Sequence, residues 1–246
     1  MGKKVQKVVD VFRRRELKFL LTSREQQILE DALHRHMIPD SHGKNTICNL
    51  YYDTPDHRLI RHSLEHPVYK EKLRLRCYGV ATSESDIFLE LKKKYKGVVY
   101  KRRVRVTEPE AVAFMNREGQ LHNQGQISRE IRYVRDYYQT LQPRMYISYD
   151  REAWYDPVDR GFRITLDRNV QFRTDHLNLT ANASGRTILQ PEQSLLEVKA
   201  EGAVPMWLVQ LLAEEQIYKQ SFSKYGRAYE RMLKERLALE RGEVLC

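Results

Sequence analysis

The sequence predicts an α+β fold: an antiparallel sheet curled into a barrel with a charged interior, and helices packed on its outside. Three observations lead there. Seven short segments alternate apolar and charged residues with period two, the signature of strands with one apolar and one charged face. Between them lie apolar stripes at helical spacing, each of which needs a surface to cover. The chain has 43 Lys+Arg against 33 Asp+Glu, a formal net charge of +10, and much of this excess sits on the alternating segments rather than on a separate tail.

In chain order, the first alternating segment is Glu16-Leu-Lys18-Phe. Thr22-Ser23 followed by Glu25 and Gln26 forms a capping start, and Ile28, Ala32, Leu33 and Met37 make an apolar helical stripe after it. Next come the segments Lys72-Leu-Arg74-Leu-Arg76, Leu89-Glu90-Leu-Lys92 continuing to Lys94, and Lys101-Arg-Arg103-Val-Arg105. Pro109 opens a short helix carrying Val112 and Met115, and Ile127, Ile131, Val134 and Tyr138 trace another. The segments Tyr149-Asp-Arg151, Phe162 to Asp167 and Leu196 to Glu201 resume the alternation. Pro205 starts a helix with Trp207, Leu208, Leu211 and Leu212, and a last helix runs from about Ser223 through Tyr225, Tyr229, Met232 and Arg236. Turn residues such as Asp53-Thr-Pro55, Lys96-Gly97 and Asp156-Pro157 punctuate the series. Without a linker, repeat or low-complexity stretch, one domain over residues 1–246 is expected.

Several function classes drop out. No stretch approaches the ~20 apolar residues of a membrane span, and no signal-peptide core is present. Cys48, Cys77 and Cys246 are widely spaced and form no CxxC pair, which points to a reducing, cytoplasmic setting. His62 and His66 have helical ligand spacing but no third ligand beside them. Walker loop, GxGxxG, HExxH and GxSxG are all missing.

The charged faces carry the functional signal. Arg74 with Arg76, and Lys101 with Arg103 and Arg105, put like charges side by side, which destabilises a sheet unless an anion compensates. If the apolar faces are covered by helices outside, the charged faces meet inside the barrel and focus a strong positive field. Glu16, Glu90 and Glu197 each stand two residues from a lysine, at Lys18, Lys92 and Lys199. Such pairs are either structural ion pairs or carboxylates placed for a hard divalent cation that completes its shell with phosphate oxygens and water. Arginine forks and lysine point charges are the parts that hold a condensed phosphate chain in line for transfer.

The ordered motifs Arg14-Arg-Glu16-Leu-Lys18-Phe, Asn49-Leu-Tyr51-Tyr52-Asp53-Thr54, Lys72-Leu-Arg74-Leu-Arg76, Phe88-Leu-Glu90-Leu-Lys92, Tyr149-Asp-Arg151, Arg163-Ile-Thr-Leu-Asp167, Leu196-Glu197-Val-Lys199 and Ser221-Phe-Ser223-Lys224-Tyr225 resemble the vacuolar transporter chaperone (VTC) domain. That domain belongs to the triphosphate tunnel metalloenzymes, or CYTH superfamily. The superfamily's ExExK strand reads RxExK here, with Arg14 in the first glutamate position, which removes one metal ligand and points to the VTC branch. The resemblance implies a tunnel of about eight antiparallel strands with flanking helices. It also implies an ATP-dependent polyphosphate polymerase that transfers the γ-phosphate of ATP to a growing chain, with Mn²⁺ or Mg²⁺.

Carried onto this sequence, Lys18, Arg74, Arg76, Arg151 and Arg163 would bind the triphosphate and Glu197 would be the principal metal ligand. Lys92, Lys101, Arg103 and Lys199 would line the same tunnel, with Ser223 and Lys224 at the start of the final helix. Glu16 is a further metal candidate; Glu90 is either a second metal ligand or a partner holding Lys92. Partners implied are ATP or another triphosphate, inorganic polyphosphate and a membrane protein that would bring the chain to a membrane periphery. Two other functions stay open on this fold: a metal-dependent triphosphatase and a non-catalytic polyphosphate-binding module. RNA binding ranks below these, because glutamates are interleaved with the basic residues; no nucleic acid is expected.

Overall fold

The computed structural model describes residues 15–242. Arg14 and Cys246 lie outside the described residues. The elements run β1(Arg15–Leu21), α1(Ser23–His36), β2(Ile38–Pro39), β3(Asn45–Asp53), α2(Arg58–Leu64), β4(Tyr69–Tyr78), β5(Ile87–Tyr95), β6(Val98–Val106), α3(Glu108–Met115), α4(Gln126–Tyr138), β7(Gln142–Tyr155), β8(Arg163–Arg173), β9(Arg186–Thr187), β10(Ser194–Ala200), α5(Met206–Glu214) and α6(Lys224–Glu240). One antiparallel sheet holds every strand, in the order β1-β10-β8-β7-β3-β4-β5-β6, with β2 and β9 as two-residue additions on β7 and β8. Among the described residues no ladder joins β6 back to β1. Side chains nonetheless meet across the curled sheet, since Glu16 on β1 reaches Lys92 on β5 at 3.6 Å.

Alternation sorts the side chains as the sequence predicts. Outward-facing Cys48, Leu50 and Tyr52 of β3, Leu73, Leu75 and Cys77 of β4, Leu89 and Leu91 of β5, and Val104 and Val106 of β6 form one core with Phe114, Met115, Ile131 and Val134 of α3 and α4. Outward-facing Phe19, Leu21, Ile164, Leu166, Leu196 and Val198 form a second with Leu29 and Leu33 of α1 and Leu208 of α5. Helices on both outer flanks use up the apolar faces, and the charged faces turn inward.

The inner face is itself divided. Along β1, β7, β8 and β10 it changes partway from charged residues to apolar ones such as Leu20, Ile147, Val170 and Leu195. Tyr225, Ala228 and Tyr229 of α6 and Ile60 of α2 pack into this apolar part and fill it. The remainder of the inner face is charged, and α6 begins at the boundary between the two.

Local chemistry explains most helix starts. Thr22 and Thr107 each close a capping box, with Glu25 and Glu110 respectively. Ser223 caps α6 by accepting from Gly226 N at 3.1 Å. Val112 departs from expectation: it is 42% exposed, while Ala111 and Phe114 of the same helix are buried. Two elements, β3 and the short α2, have no alternation or stripe in sequence to announce them.

These two are joined by one buried carboxylate. Asp53, fully buried at the end of β3, accepts from Thr54 N (2.8 Å), Leu59 N (2.8 Å), Ile60 N (3.0 Å) and the Tyr225 hydroxyl (2.9 Å). It therefore caps α2 and anchors α6. Asp53→Ala leaves four buried donors unsatisfied and should lower stability by about 3 kcal/mol, a fall in Tm on the order of 10 °C by thermal denaturation. A change under about 2 °C would show that α6 is held by packing alone.

Candidate functional site

The site is built from alternate residues of seven strands. Lys72, Arg74 and Arg76 come from β4, Glu90 and Lys92 from β5, and Lys101 and Arg103 from β6. Arg151 comes from β7, Asp167 from β8, Glu197 and Lys199 from β10, and Glu16 and Lys18 from β1. Lys224 joins them from the first turn of α6. Ten cations thus face four carboxylates, so six of the chain's ten excess positive charges reside here.

Two carboxylate hubs organise these cations. Glu90, 1% exposed, holds Arg74 through Nε (3.0 Å) and Nη2 (2.8 Å), Lys101 Nζ (2.8 Å), Arg103 Nε (2.7 Å) and Arg76 Nε (3.8 Å). Burial works against ionisation there, but Arg74, Arg76 and Lys101 keep its carboxyl far below the usual range. The second hub is Glu197 beside Asp167. Glu197 accepts from Lys224 Nζ (3.0 Å) and Arg151 Nη2 (3.0 Å), with Lys18 Nζ and Lys199 Nζ each 3.5 Å away. Asp167 takes Arg151 as a fork, Nε at 2.6 Å and Nη2 at 2.7 Å, and also pairs with Lys224. Despite burial, Lys224, Arg151, Lys18 and Lys199 hold Glu197 well below an ordinary glutamate.

Hydroxyl and amide groups aim the guanidiniums. Tyr51 accepts from Arg74 Nη1 at 2.9 Å, Asn49 Oδ1 from Arg76 Nε at 2.9 Å, and Tyr149 from Arg76 Nη2 at 3.0 Å. Guanidiniums fixed in this way lose little freedom on meeting an anion.

The residues that the sequence singles out fall into three groups. Lys18, Arg74, Arg76, Lys92, Lys101, Arg103, Arg151, Glu197, Lys199, Glu16, Glu90 and Lys224 converge on the interior. Ser223 stands beside them, accepting from Lys72 Nζ at 2.9 Å while it caps α6. Arg163 does not join. It shares the face of Asp167 but is the first residue of β8, at the barrel rim, where Nη2 pairs with Asp40 at 2.7 Å and the side chain is 48% exposed. Arg105 also leaves the cluster, paired with exposed Asp86.

The short-range pairings are corrected in one case. Glu16 meets Lys18 (3.0 Å) and Glu197 meets Lys199 (3.5 Å), but Lys92 pairs with Glu16 and not with Glu90. Barrel curvature brings β1 over β5, a contact that spacing along one strand does not reveal.

Four interior residues carry no assignment from sequence: Lys72, Asp167, Asn49 and Tyr149. Lys72 and Asp167 have a readable signal, since alternation puts them on the faces of Arg74 and Arg163. Asn49 has none, because its strand shows no alternation.

A curled antiparallel sheet, helices outside and a cation-rich interior define a triphosphate tunnel fold. The same fold is seen in a candidate adenylate cyclase from Bacillus halodurans, 15% identical, covering 87% of this chain and 94% of that one, with a TM-score of 0.54. It is also seen in a candidate adenylyl cyclase from Hippeastrum, described as having a dominant triphosphatase activity, 18% identical, covering 94% and 96%, with a TM-score of 0.51. At these identities the likeness concerns the fold. The family is given by sequence: the VTC domain model matches residues 13–233, and the chain belongs to that family. No curated protein sequence matches the chain significantly.

The interior is strained by its own charge. Lys72 has no carboxylate partner among the described residues; burial first, then Lys92, Lys18, Lys70 and Arg74, lowers its pKa to about 7. Burial, opposed by Glu90 and reinforced by Arg76 and Arg74, brings Lys101 to about 7 as well. A base with a depressed folded pKa makes the free protein gain stability as pH rises from about 7 toward 10.5. A bound polyanion favours the protonated form, so its affinity should fall as pH rises above about 7. Lys72→Met should raise the Tm of the anion-free protein at neutral pH by roughly 2–4 °C, weaken tripolyphosphate binding about tenfold and flatten that pH dependence. Calorimetric titration at several pH values checks this, and a lower Tm with unchanged affinity would contradict it.

Proposed function

We propose that this chain is an ATP-dependent polyphosphate polymerase, moving the γ-phosphate of ATP onto a growing polyphosphate inside the barrel, and that it works as one domain over residues 1–246. The observation that carries this reading is the length of the basic wall. Lys70, Lys72, Arg74 and Arg76 follow one another on a single face of β4 with Lys94 and Lys92 opposite the first two, a row about 20 Å long at ~3.3 Å per residue. One triphosphate needs less than that. A track with positive charge beyond the reacting phosphates suits a substrate that continues as a chain.

In this reading Arg74, Arg76, Arg151, Lys18 and Lys224 grip the reacting phosphates, and Lys92, Lys101 and Arg103 guide the chain. Arg163 acts at the rim. Negative charge arriving on the phosphates replaces the carboxylates as the counterion of these groups. Preorganised guanidiniums then stabilise charge that spreads over the transferring phosphoryl.

A divalent cation fits one part of the site. Glu16 and Glu197 converge on Lys18 Nζ at 3.0 and 3.5 Å, placing two hard oxygen donors on neighbouring strands. Mg²⁺ or Mn²⁺ takes one or two carboxylates and fills its shell with phosphate oxygens and water. Among the described residues no group of three or more His, Cys, Asp or Glu could hold an ion, so a cation here would depend on phosphate and water oxygens for the rest of its shell. Glu90 fits less well: like Glu197 it is surrounded by four cations, but among the described residues no second carboxylate shares them as Glu16 shares Lys18 with Glu197. When bound, the ion would neutralise phosphate charge and polarise a phosphoryl oxygen.

The second reading is a metal-dependent triphosphatase, in which water and not a phosphate chain meets the γ-phosphorus. A third, a non-catalytic polyphosphate-binding module, is separated from both by turnover. Among the described residues no helix is long and apolar enough to cross a membrane, and docking to a membrane protein belongs to the proposal as well.

Incubation with ATP and Mn²⁺ distinguishes these. ADP with long-chain polyphosphate on a gel is expected; ADP with stoichiometric free phosphate would favour the triphosphatase, and neither product the binding module. Glu197→Gln should abolish metal-dependent turnover while tripolyphosphate still binds, since the change removes negative charge from a basic cavity. Arg74→Ala should weaken triphosphate binding by about 10–100-fold, the range for a charged hydrogen-bond pair; unchanged binding would place Arg74 outside the substrate's path.

A further inference from the structure

On the outer face of the two strands that present Asn49 and Arg76, Cys48 of β3 and Cys77 of β4 are direct Cα partners. Both are free thiols, fully buried in the core under α3 and α4. Directly opposed residues of antiparallel strands have Cα atoms about 4.5–5.5 Å apart, inside the ~4.4–6.8 Å that a disulfide spans. Strand β4 ends at Tyr78, and Gly79 turns the chain away in the left-handed region at φ 79°. Cys77 Sγ donates to Gly79 O at 3.0 Å, so the thiol pair lies where a strand end meets a turn, and a small oxidant reaches it only if that end opens locally. Beside Cys77, and despite burial, the Cys48 thiol is held below its ordinary value, which favours the thiolate at that sulfur.

We propose that Cys48 and Cys77 are a redox modification site, forming a reversible cross-strand disulfide with a hydroperoxide as oxidant, and that this bond weakens anion binding in the barrel interior. The Cys48 thiolate attacks the hydroperoxide; an S–O bond forms, the O–O bond breaks, and the departing oxygen is protonated to an alcohol or water. Cys77 then gives up its proton and attacks the Cys48 sulfenic acid, forming S–S while the S–O bond breaks and hydroxide leaves as water. Two thiols lose two electrons and the hydroperoxide gains them. A thiol reductant reverses the bond by exchange.

Coupling to the interior follows from adjacency. A disulfide draws Cβ atoms to about 3.8 Å, closer than the ~4.5–5.5 Å of an opposed pair. The strands must shift at this point, and the next residues are Asn49 and Arg76. Arg76 donates to Asn49 Oδ1 at 2.9 Å, so the displacement reaches the guanidinium through this bond, while Asn49 Nδ2, donating to Ile147 O at 3.0 Å, ties the same amide to β7. This coupling rests on the triphosphate reading of the interior; the disulfide itself does not.

The test uses Cys246→Ser protein, so that a third thiol does not enter. Treatment with hydrogen peroxide should lower the intact mass by about 2 Da, dithiothreitol should restore it, and peptide mapping should join the Cys48 and Cys77 peptides. The tripolyphosphate Kd should rise at least about threefold on oxidation and recover on reduction. With Cys77→Ala added, peroxide should leave both the mass loss and the Kd change absent; if that variant misfolds, the peptide map alone decides. A gain of oxygen without the 2 Da loss, or no change, overturns the disulfide. A disulfide with unchanged Kd overturns the coupling. Reduced protein that does not bind tripolyphosphate overturns the triphosphate reading and leaves the mass result standing.

Discussion

An excess of six formal positive charges inside a folded barrel is what the remainder of this molecule is arranged to tolerate. Like charges on a strand face repel, and burial raises the energy of each one. Two carboxylate hubs make the arrangement stable. Glu90 ties β4, β5 and β6 together through four cations, and Glu197 with Asp167 ties β1, β7, β8, β10 and α6. Each hub is fully ionised at neutral pH because its cations outweigh the effect of burial. Lys72 shows the limit of this compensation: with no carboxylate beside it, burial and its cationic neighbours lower its pKa to about 7.

The division of the inner face turns this charge into a site. Where β1, β7, β8 and β10 become apolar, α6 packs in and excludes water; where they are charged, the two carboxylate hubs hold the cations. Lys224 and Ser223 sit at that boundary, so the first turn of α6 brings a cation and a hydroxyl into the basic wall while its later turns stabilise the barrel. Asp53 links the same helix to β3 and α2. The first turn of α6 thus belongs to the charged cluster and its later turns to the apolar core, with few residues shared between them.

Period-two alternation makes much of this legible in the amino-acid sequence. It places Arg74, Arg76, Arg151 and Glu197 inside, because each alternates with apolar neighbours that helices cover. The strand β3 is hidden for the opposite reason: from Ile47 to Asp53 it is buried on both faces, so Cys48, Leu50 and Tyr52 outside and Asn49 and Tyr51 inside show no contrast. The short α2 starts from the distant cap of Asp53 rather than from a local stripe. Pairings across the curled sheet, such as Glu16 with Lys92, depend on which strands meet and not on spacing. Arg163 has the right face but the wrong height, and only strand ends tell the two apart.

The central claim is that the interior charge is a receptor for condensed phosphate. A structure determined with tripolyphosphate tests it most directly. The account predicts phosphate oxygens between Arg74 and Arg76 on one wall and Arg151, Lys18 and Lys224 on the other, with Lys72 turned from Ser223 toward the anion. Tripolyphosphate seated on the outer surface, with Glu90 and Glu197 still holding all their cations and the interior holding only water, would contradict it.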